Sequence, residues 1–261
     1  MNESSDLPFT EAAPYYRFRA PYAPEALEYI RDAFQLDQKS RVLDLGCGPG
    51  TLSLPLAHFV GHVLAVDPSQ AMIDEGRARA ATARCGNIEW LCTRAEDVDE
   101  ELGPFTVATI GQAFHWMDRD LILRKLERML ERDGSGLALV NPGKRRPQES
   151  WELLTNEVVA RYIRARERHS KVHVEPEHEP ALLRSRTFSQ FTHREFSVSF
   201  ERDVRSIIGH VFSTSTSPKS AFGERAPFFE KELTEKLLAA NPSGIFRKHV
   251  ETEVLIAHSR C

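Results

Sequence analysis

At 261 residues, with 41% apolar and 28% charged side chains, the chain has the make-up of an ordinary globular protein large enough to bury its own core. A formal net charge of -4 offers no general attraction to nucleic acid or anionic lipid, which excludes large polyanions as expected partners. No run approaches the ~20 apolar residues that span a bilayer, the first residues are polar and acidic where a signal peptide is basic and then apolar, and the four cysteines (Cys47, Cys85, Cys92, Cys261) form no C-x-x-C pair; a reduced, cytoplasmic protein with no membrane partner is expected.

Residues 1–13 read as a poorly ordered leader, followed by a segment from Tyr15 to Pro24 dense in aromatics, arginine and proline. Pro24 then opens a pattern of Ala26, Leu27, Ile30 and Phe34 that predicts an amphipathic helix to about residue 35, laid over a sheet. The stretch from Arg41 to Thr51 is the pivot of the chain. Val42, Leu43 and Leu45 form a buried-strand run, while Gly46, Gly48 and Gly50 allow a tight turn and close approach of a ligand. A helix over about 51–60 would aim its amide donors at that turn, as nucleotide-type binding loops do. Thr51 stands where the dinucleotide fingerprint needs its third glycine, which argues against NAD.

What this stretch resembles is the first motif of the class I S-adenosylmethionine-dependent methyltransferases: an apolar strand carrying Asp44, then G-x-G-x-G. The resemblance implies a Rossmann-like α/β fold, S-adenosyl-L-methionine as cofactor, and cofactor contacts at Asp44, Gly46, Cys47, Gly48 and Gly50. Cys47 itself reads as a small packing residue and not a nucleophile. Upstream, Tyr15 and Arg19 fall on the Tyr-x-x-x-Arg-Pro-x-Tyr segment that folds over the cofactor in many small-molecule methyltransferases, with Ala20 in place of its proline; the other reading is a packing collar with surface arginines.

A second strand, Val63 to Val66, ends at Asp67, the position at which an acidic residue accepts hydrogen bonds from ribose hydroxyls. Pro68 belongs to the same turn, Ser69 reads as the N-cap of a helix over about 71–83, and Met72 is either an adenine contact or plain core. Strand three, Ile88 to Cys92, leads to Ala95 and Glu96, where the resemblance implies recognition of the adenine edge.

Strand four, Phe105 to Ile110, is β-branched and apolar, as a central parallel strand should be. Its carboxyl end, Gly111 to Asp118, faces the ligand crevice of an open α/β sheet, so Gln112 is expected beside the cofactor and Phe114, His115 and Trp116 beside the acceptor. The Phe-His-Trp triplet resembles a small-molecule subgroup of the family. His115 is the candidate general base because imidazole titrates near neutrality, with a loop-ordering histidine as the equal alternative. Asp118 or Asp120 reads as the cap of a helix over 121–130, not as a metal ligand, and strand five follows at Leu137 to Val140.

Asn141-Pro142-Gly143 lacks the aromatic residue and the position, after strand four, of the motif used by methyltransferases of base amines, so DNA adenine methylation is not expected. A basic loop at 144–146 and a helix over about 151–168 come next. His169, His173 and His178, interleaved with Glu175, Glu177 and Glu179, read as a solvated loop because two prolines break any helix that would align them; no metal is expected. A half-covered strand at 191–200 and a last strand at about 250–258 flank helical patterns near 203–214 and 225–240, and 202–245 reads as a substrate lid.

The expectation is therefore a single domain: a seven-stranded, mostly parallel sheet with an antiparallel last strand, a cofactor-binding core over 15–141, and substrate-side insertions at 144–187 and 202–245. Its expected function is methyl transfer from S-adenosylmethionine to a small-molecule acceptor whose nucleophilic atom is open. The alternatives are a non-catalytic S-adenosylmethionine-binding partner protein and a nicotinamide-dependent oxidoreductase.

Overall fold

The computed structural model describes residues 7–131, 134–143, 148–163, 182, 185 and 187–259. The basic loop at 144–146, the histidine-glutamate stretch from His169 to Glu179, and Cys261 lie outside them. In chain order the elements begin with α1 (Leu7–Ala12), a 3-10 turn (Ala13–Phe18), α2 (Pro24–Ala33), β1 (Arg41–Leu45), α3 (Ser53–Leu56), β2 (His62–Asp67), α4 (Gln70–Ala83), β3 (Ile88–Cys92), β4 (Val107–Gly111) and α5 (Arg119–Met129). They continue with β5 (Gly136–Pro142), α6 (Ser150–Tyr162), β6 (Phe188–Asp203), α7 (Val204–Phe212), α8 (Lys219–Phe222), α9 (Ala226–Ala240) and β7 (Ile245–Ser259).

Two expectations need correction. The leader is helical from Leu7 onward, with Ala12 and Ala13 buried. The helix after the glycine loop is a single turn, Ser53–Leu56. Pro55 contributes no amide there and the chain turns on through i to i−3 bonds at His58 and Phe59, so the expected dipole end is much reduced.

The seven strands run in the order β3-β2-β1-β4-β5-β7-β6. Pairs β1–β2, β1–β4, β2–β3 and β4–β5 are parallel, and β5–β7 is antiparallel. At the edge, Ser197 bonds Glu251 and Ser199 bonds His249, a pairing that descends on β7 as it ascends on β6 and so marks these strands as antiparallel too. Strand order reverses between β1 and β4, which makes the carboxyl ends of those two strands the natural ligand crevice.

Alternate residues of the central strands feed two cores, because the period of a strand is two. Leu43, Leu64, Ala108 and Leu137 pack with Ile122 and Leu126 of α5; Val42, Val63, Val107 and Ala138 pack with Ile30 of α2, Leu56 of α3 and Ile73 of α4. Burial on both faces is why these strands read as continuous apolar runs.

The chain forms two compact units. One comprises Pro21–Lys144, His173–Val198 and Glu251–Cys261; the other comprises Met1–Ala20, Arg145–Val172 and Ser199–Val250. The second has its own aromatic core, built on Phe212, Phe222 and Phe229 with Leu233, Leu237 and Phe246.

Candidate functional site

The loop after β1 is held from below by Asp44, whose carboxylate accepts the hydroxyl of Ser53 and, at 2.9 Å, that of Thr109 on β4. Buried to 1% exposure, Asp44 has its pKa raised by desolvation, with the Asp67 charge adding and the two hydroxyls opposing, to about 6. Its carboxylate therefore ties β1 to β4 and to the turn that follows the glycines. Gly46, Gly48 and Gly50 all have positive φ, at 66°, 53° and 79°. At Gly46 a side chain is also barred by space, since a Cβ there would lie 2.4 Å from the Ala113 Cβ.

Asp67, at the end of β2, accepts the Gly48 amide at 2.9 Å and the Ser69 amide at 2.9 Å. The expected ribose acceptor is thus also the strut that fixes the glycine loop against β2. Ser69 occupies the N-cap position of α4 but makes no capping bond, which corrects its reading as a cap. Its buried Oγ has no partner among the described residues. Pro68 is exposed and Met72 fully buried. Cys47 is buried and its thiol pKa pushed up by desolvation, as befits a packing residue.

The carboxyl end of β4 carries the second half of the site. Gln112 adopts a left-handed φ of 54°, donates its backbone amide to the Val140 carbonyl at 3.0 Å and its side-chain amide to the Tyr22 hydroxyl at 3.3 Å. Tyr22 thus reaches the crevice from the aromatic segment, although only Tyr15 and Arg19 of that segment were expected as site residues. Ala95 is buried at the head of a 3-10 turn, and the Glu96 carboxylate accepts the Asp118 amide at 2.9 Å and Arg94 Nε at 3.4 Å. These bonds, with burial opposing, hold Glu96 below the usual carboxylate range and join the loop after β3 to the start of α5. Asp118 caps α5 by accepting the Leu121 amide at 3.0 Å.

Phe114, His115 and Trp116 form one 3-10 turn. Phe114 points into the core at 1% exposure, whereas Trp116 is 49% exposed. His115 is half-buried beside Trp116, ring centroids 5.1 Å apart. Burial first, and Arg119 second, push its pKa below the ordinary imidazole value, which favours the neutral form that can accept a proton.

Tyr15 and Arg19 belong to the other unit. Tyr15 packs edge-on against Phe212, and Arg19 donates to the Ser213 carbonyl at 2.8 Å. Among the described residues no three His, Cys, Asp or Glu side chains converge on a metal-sized site, and no helix is long and apolar enough to cross a membrane. Ser53, Thr109 and the free hydroxyl of Ser69 were not singled out as site residues in the sequence; hydroxyl residues beside strand ends carry no distinguishing pattern.

Residues 42–134 match the family model described as a methyltransferase domain. The chain is 32% identical over 138 residues to the ubiquinone biosynthesis O-methyltransferase of Bradyrhizobium diazoefficiens, covering 49% of this chain and 53% of that one. It is 29% identical over 132 residues to an uncharacterized methyltransferase of Schizosaccharomyces pombe, covering 50% of each. The chain therefore spans about half the length of these curated relatives. In fold it is similar to a candidate type II methyltransferase from Anaeromyxobacter dehalogenans, with a TM-score of 0.61 at 24% identity, covering 92% of this chain and 98% of that one.

Proposed function

We propose that the chain is a class I S-adenosylmethionine-dependent methyltransferase of the small-molecule subgroup with a Phe-His-Trp triplet, and that it moves the methyl group of that cofactor to a small-molecule acceptor. The observation that carries the reading is the glycine loop braced by Asp67 next to the buried, unpartnered Ser69 hydroxyl. Leaving such a group without a partner costs about 1–3 kcal/mol, and a ribose hydroxyl or the polar end of the cofactor would recover it. The residues present fit the cofactor.

On this reading Gly46, Cys47, Gly48 and Gly50 offer backbone to it, with Asp44 shaping the loop from beneath. Asp67 and Pro68 take the ribose, Met72, Ala95 and Glu96 the adenine, and Gln112 the reactive end. Bound there, the cofactor supplies an electrophilic methyl group on a positive sulfur. The work left to this chain is alignment and exclusion of water. Trp116 walls the acceptor, Phe114, expected there too, instead backs the turn from the core, and His115 removes a proton when the nucleophile carries one. A relative named for O-methylation in ubiquinone biosynthesis supports a small acceptor, as does the net charge of -4.

The test is to incubate the protein with methyl-tritiated S-adenosylmethionine and cell extract, then fractionate by size. Label in the small-molecule fraction is expected. Label confined to RNA or protein would overturn the proposal.

A further inference from the structure

The unit that carries α7 and α9 gathers positive charge around one buried arginine. Arg202, at the end of β6, is 4% exposed; its guanidinium donates to the Phe18 carbonyl at 2.8 Å and the Ser206 carbonyl at 3.3 Å. Burial, with Arg19 contributing, pulls its pKa down to about 10. Arg19 uses one terminal nitrogen on Ser213, but its Nε is buried with no partner among the described residues. His210 of α7 bonds the backbone of Phe18, yet its Nδ1 is buried and equally without partner. Desolvation, then Arg202, Arg19 and Lys248 of β7, drive its pKa down to about 3.

The groups that act on this cluster are thus Arg19, Arg202, Lys248 and Glu152 of α6, and Glu152 is already engaged by Lys248. Among the described residues that act on it, three cations and a histidine share one carboxylate. The arrangement is rigidly built: at Gly209 any Cβ would lie 2.1 Å from the Phe18 ring, so α7 meets the 3-10 turn in close contact and delivers His210 and Arg19 to one place. A buried guanidinium at Arg202 beside a partly buried Arg19 with an unmet Nε is a poor fold element on its own, because charge taken out of water without a counter-charge is unfavourable. An anion would remedy both faults at once. It would accept from Arg19 Nε, relieve the mutual repulsion, and let His210 take up a proton and donate through Nδ1.

We propose that Arg19, Arg202 and His210 form a binding site for a small oxyanion ligand, a carboxylate or a phosphate. The ligand class is then a small organic acid or a phosphorylated small molecule, an inference that does not rest on the methyl-transfer reading.

The full chain is titrated calorimetrically with malonate and, separately, with inorganic phosphate, each with and without saturating S-adenosylhomocysteine. Saturable binding of at least one anion is expected, with malonate favouring a carboxylic acid and phosphate a phosphorylated ligand. Arg19→Gln and His210→Gln should each weaken it about tenfold or more, while Arg19→Lys retains part. Because Arg202 also anchors backbone, it is left intact. The imidazole nitrogen resonances of His210 give a second readout: the proton-uptake midpoint should rise when the anion binds, which a merely structural histidine would not show. No saturable binding of either anion, or equal binding by both Gln variants, overturns the site. Competition between malonate and S-adenosylhomocysteine would assign the pocket to the cofactor's own carboxylate and overturn a separate oxyanion site. Failure of S-adenosylhomocysteine binding with anion binding intact would remove the methyl-transfer reading and leave the oxyanion site standing.

Discussion

Burial dominates the titration of Asp44 and raises its pKa to about 6, above the 3.8 expected of a free side chain. The folded protein therefore binds this proton more tightly than the unfolded chain does. Its contribution to stability is complete below about pH 4 and is lost as pH rises through about 6, an effect of about 3 kcal/mol. Asp44→Asn should flatten that segment of the stability curve, read from urea unfolding at a series of pH values; identical slopes in both proteins would mean that Asp44 titrates normally. His115 shifts the other way from its own reference. Its depressed pKa places the acid limb of kcat/KM below the ordinary 6.5, so the rate should be flat through neutrality and fall only in mild acid. If His115 is the base, His115→Asn lowers kcat by about 10²-fold or more, leaves cofactor affinity nearly unchanged and abolishes the acid limb. A variant keeping a tenth of the rate with the wild-type profile excludes that role. The position of His115 was legible because it follows a strongly apolar strand; its lowered pKa was not, since it arises from burial and from Arg119 one turn on.

At the scale of elements, the β1 loop and the Asp67 turn behave as one piece. Asp67→Ala removes the acceptor for both the Gly48 and Ser69 amides. Cofactor affinity should fall by about 1–3 kcal/mol, and these two amides should exchange faster with solvent even in the free protein. Unchanged exchange would show that the loop stands without the strut. The Trp90 ring is a comparable hidden support: a Cβ on Gly76, in the middle of α4, would lie 2.4 Å from it, and one on Gly50 would lie 2.7 Å away. Gly76→Ala ought to favour the helix by about 1 kcal/mol on propensity alone, but the collision with the indole should make it net destabilising by about 1–3 kcal/mol in thermal unfolding. Strands β1, β2, β4 and β5 were readable because an apolar run buried on both faces has few other solutions. The length of α3 was not, because Pro55 and the turn beyond it end a pattern that apolar spacing alone would have continued to Val60.

For the whole molecule, the amino-terminal segment is the part that sequence pattern placed least well. Phe18 closes on Gly209 and supplies a carbonyl to Arg202, partners nearly two hundred residues away that no local periodicity reveals. It is this pairing that groups Met1–Ala20 with α7 and α9 in one unit, while the glycine loop, Asp67 and His115 lie in the other. The cores of the two units share no residue: Phe212, Phe222 and Phe229 pack with Leu233 and Leu237, whereas the sheet residues pack with α2, α4 and α5. Phe229→Ala should therefore act locally. Removing a fully buried phenyl ring costs about 3–5 kcal/mol, and hydrogen exchange should speed up at the amides of α7 and α9 by an amount of that order. The amides of β1 and β4 should keep their protection, and S-adenosylhomocysteine should bind with nearly wild-type affinity. Equal loss of protection in β1 and β4 would mean that the two units unfold as one cooperative body despite their separate cores.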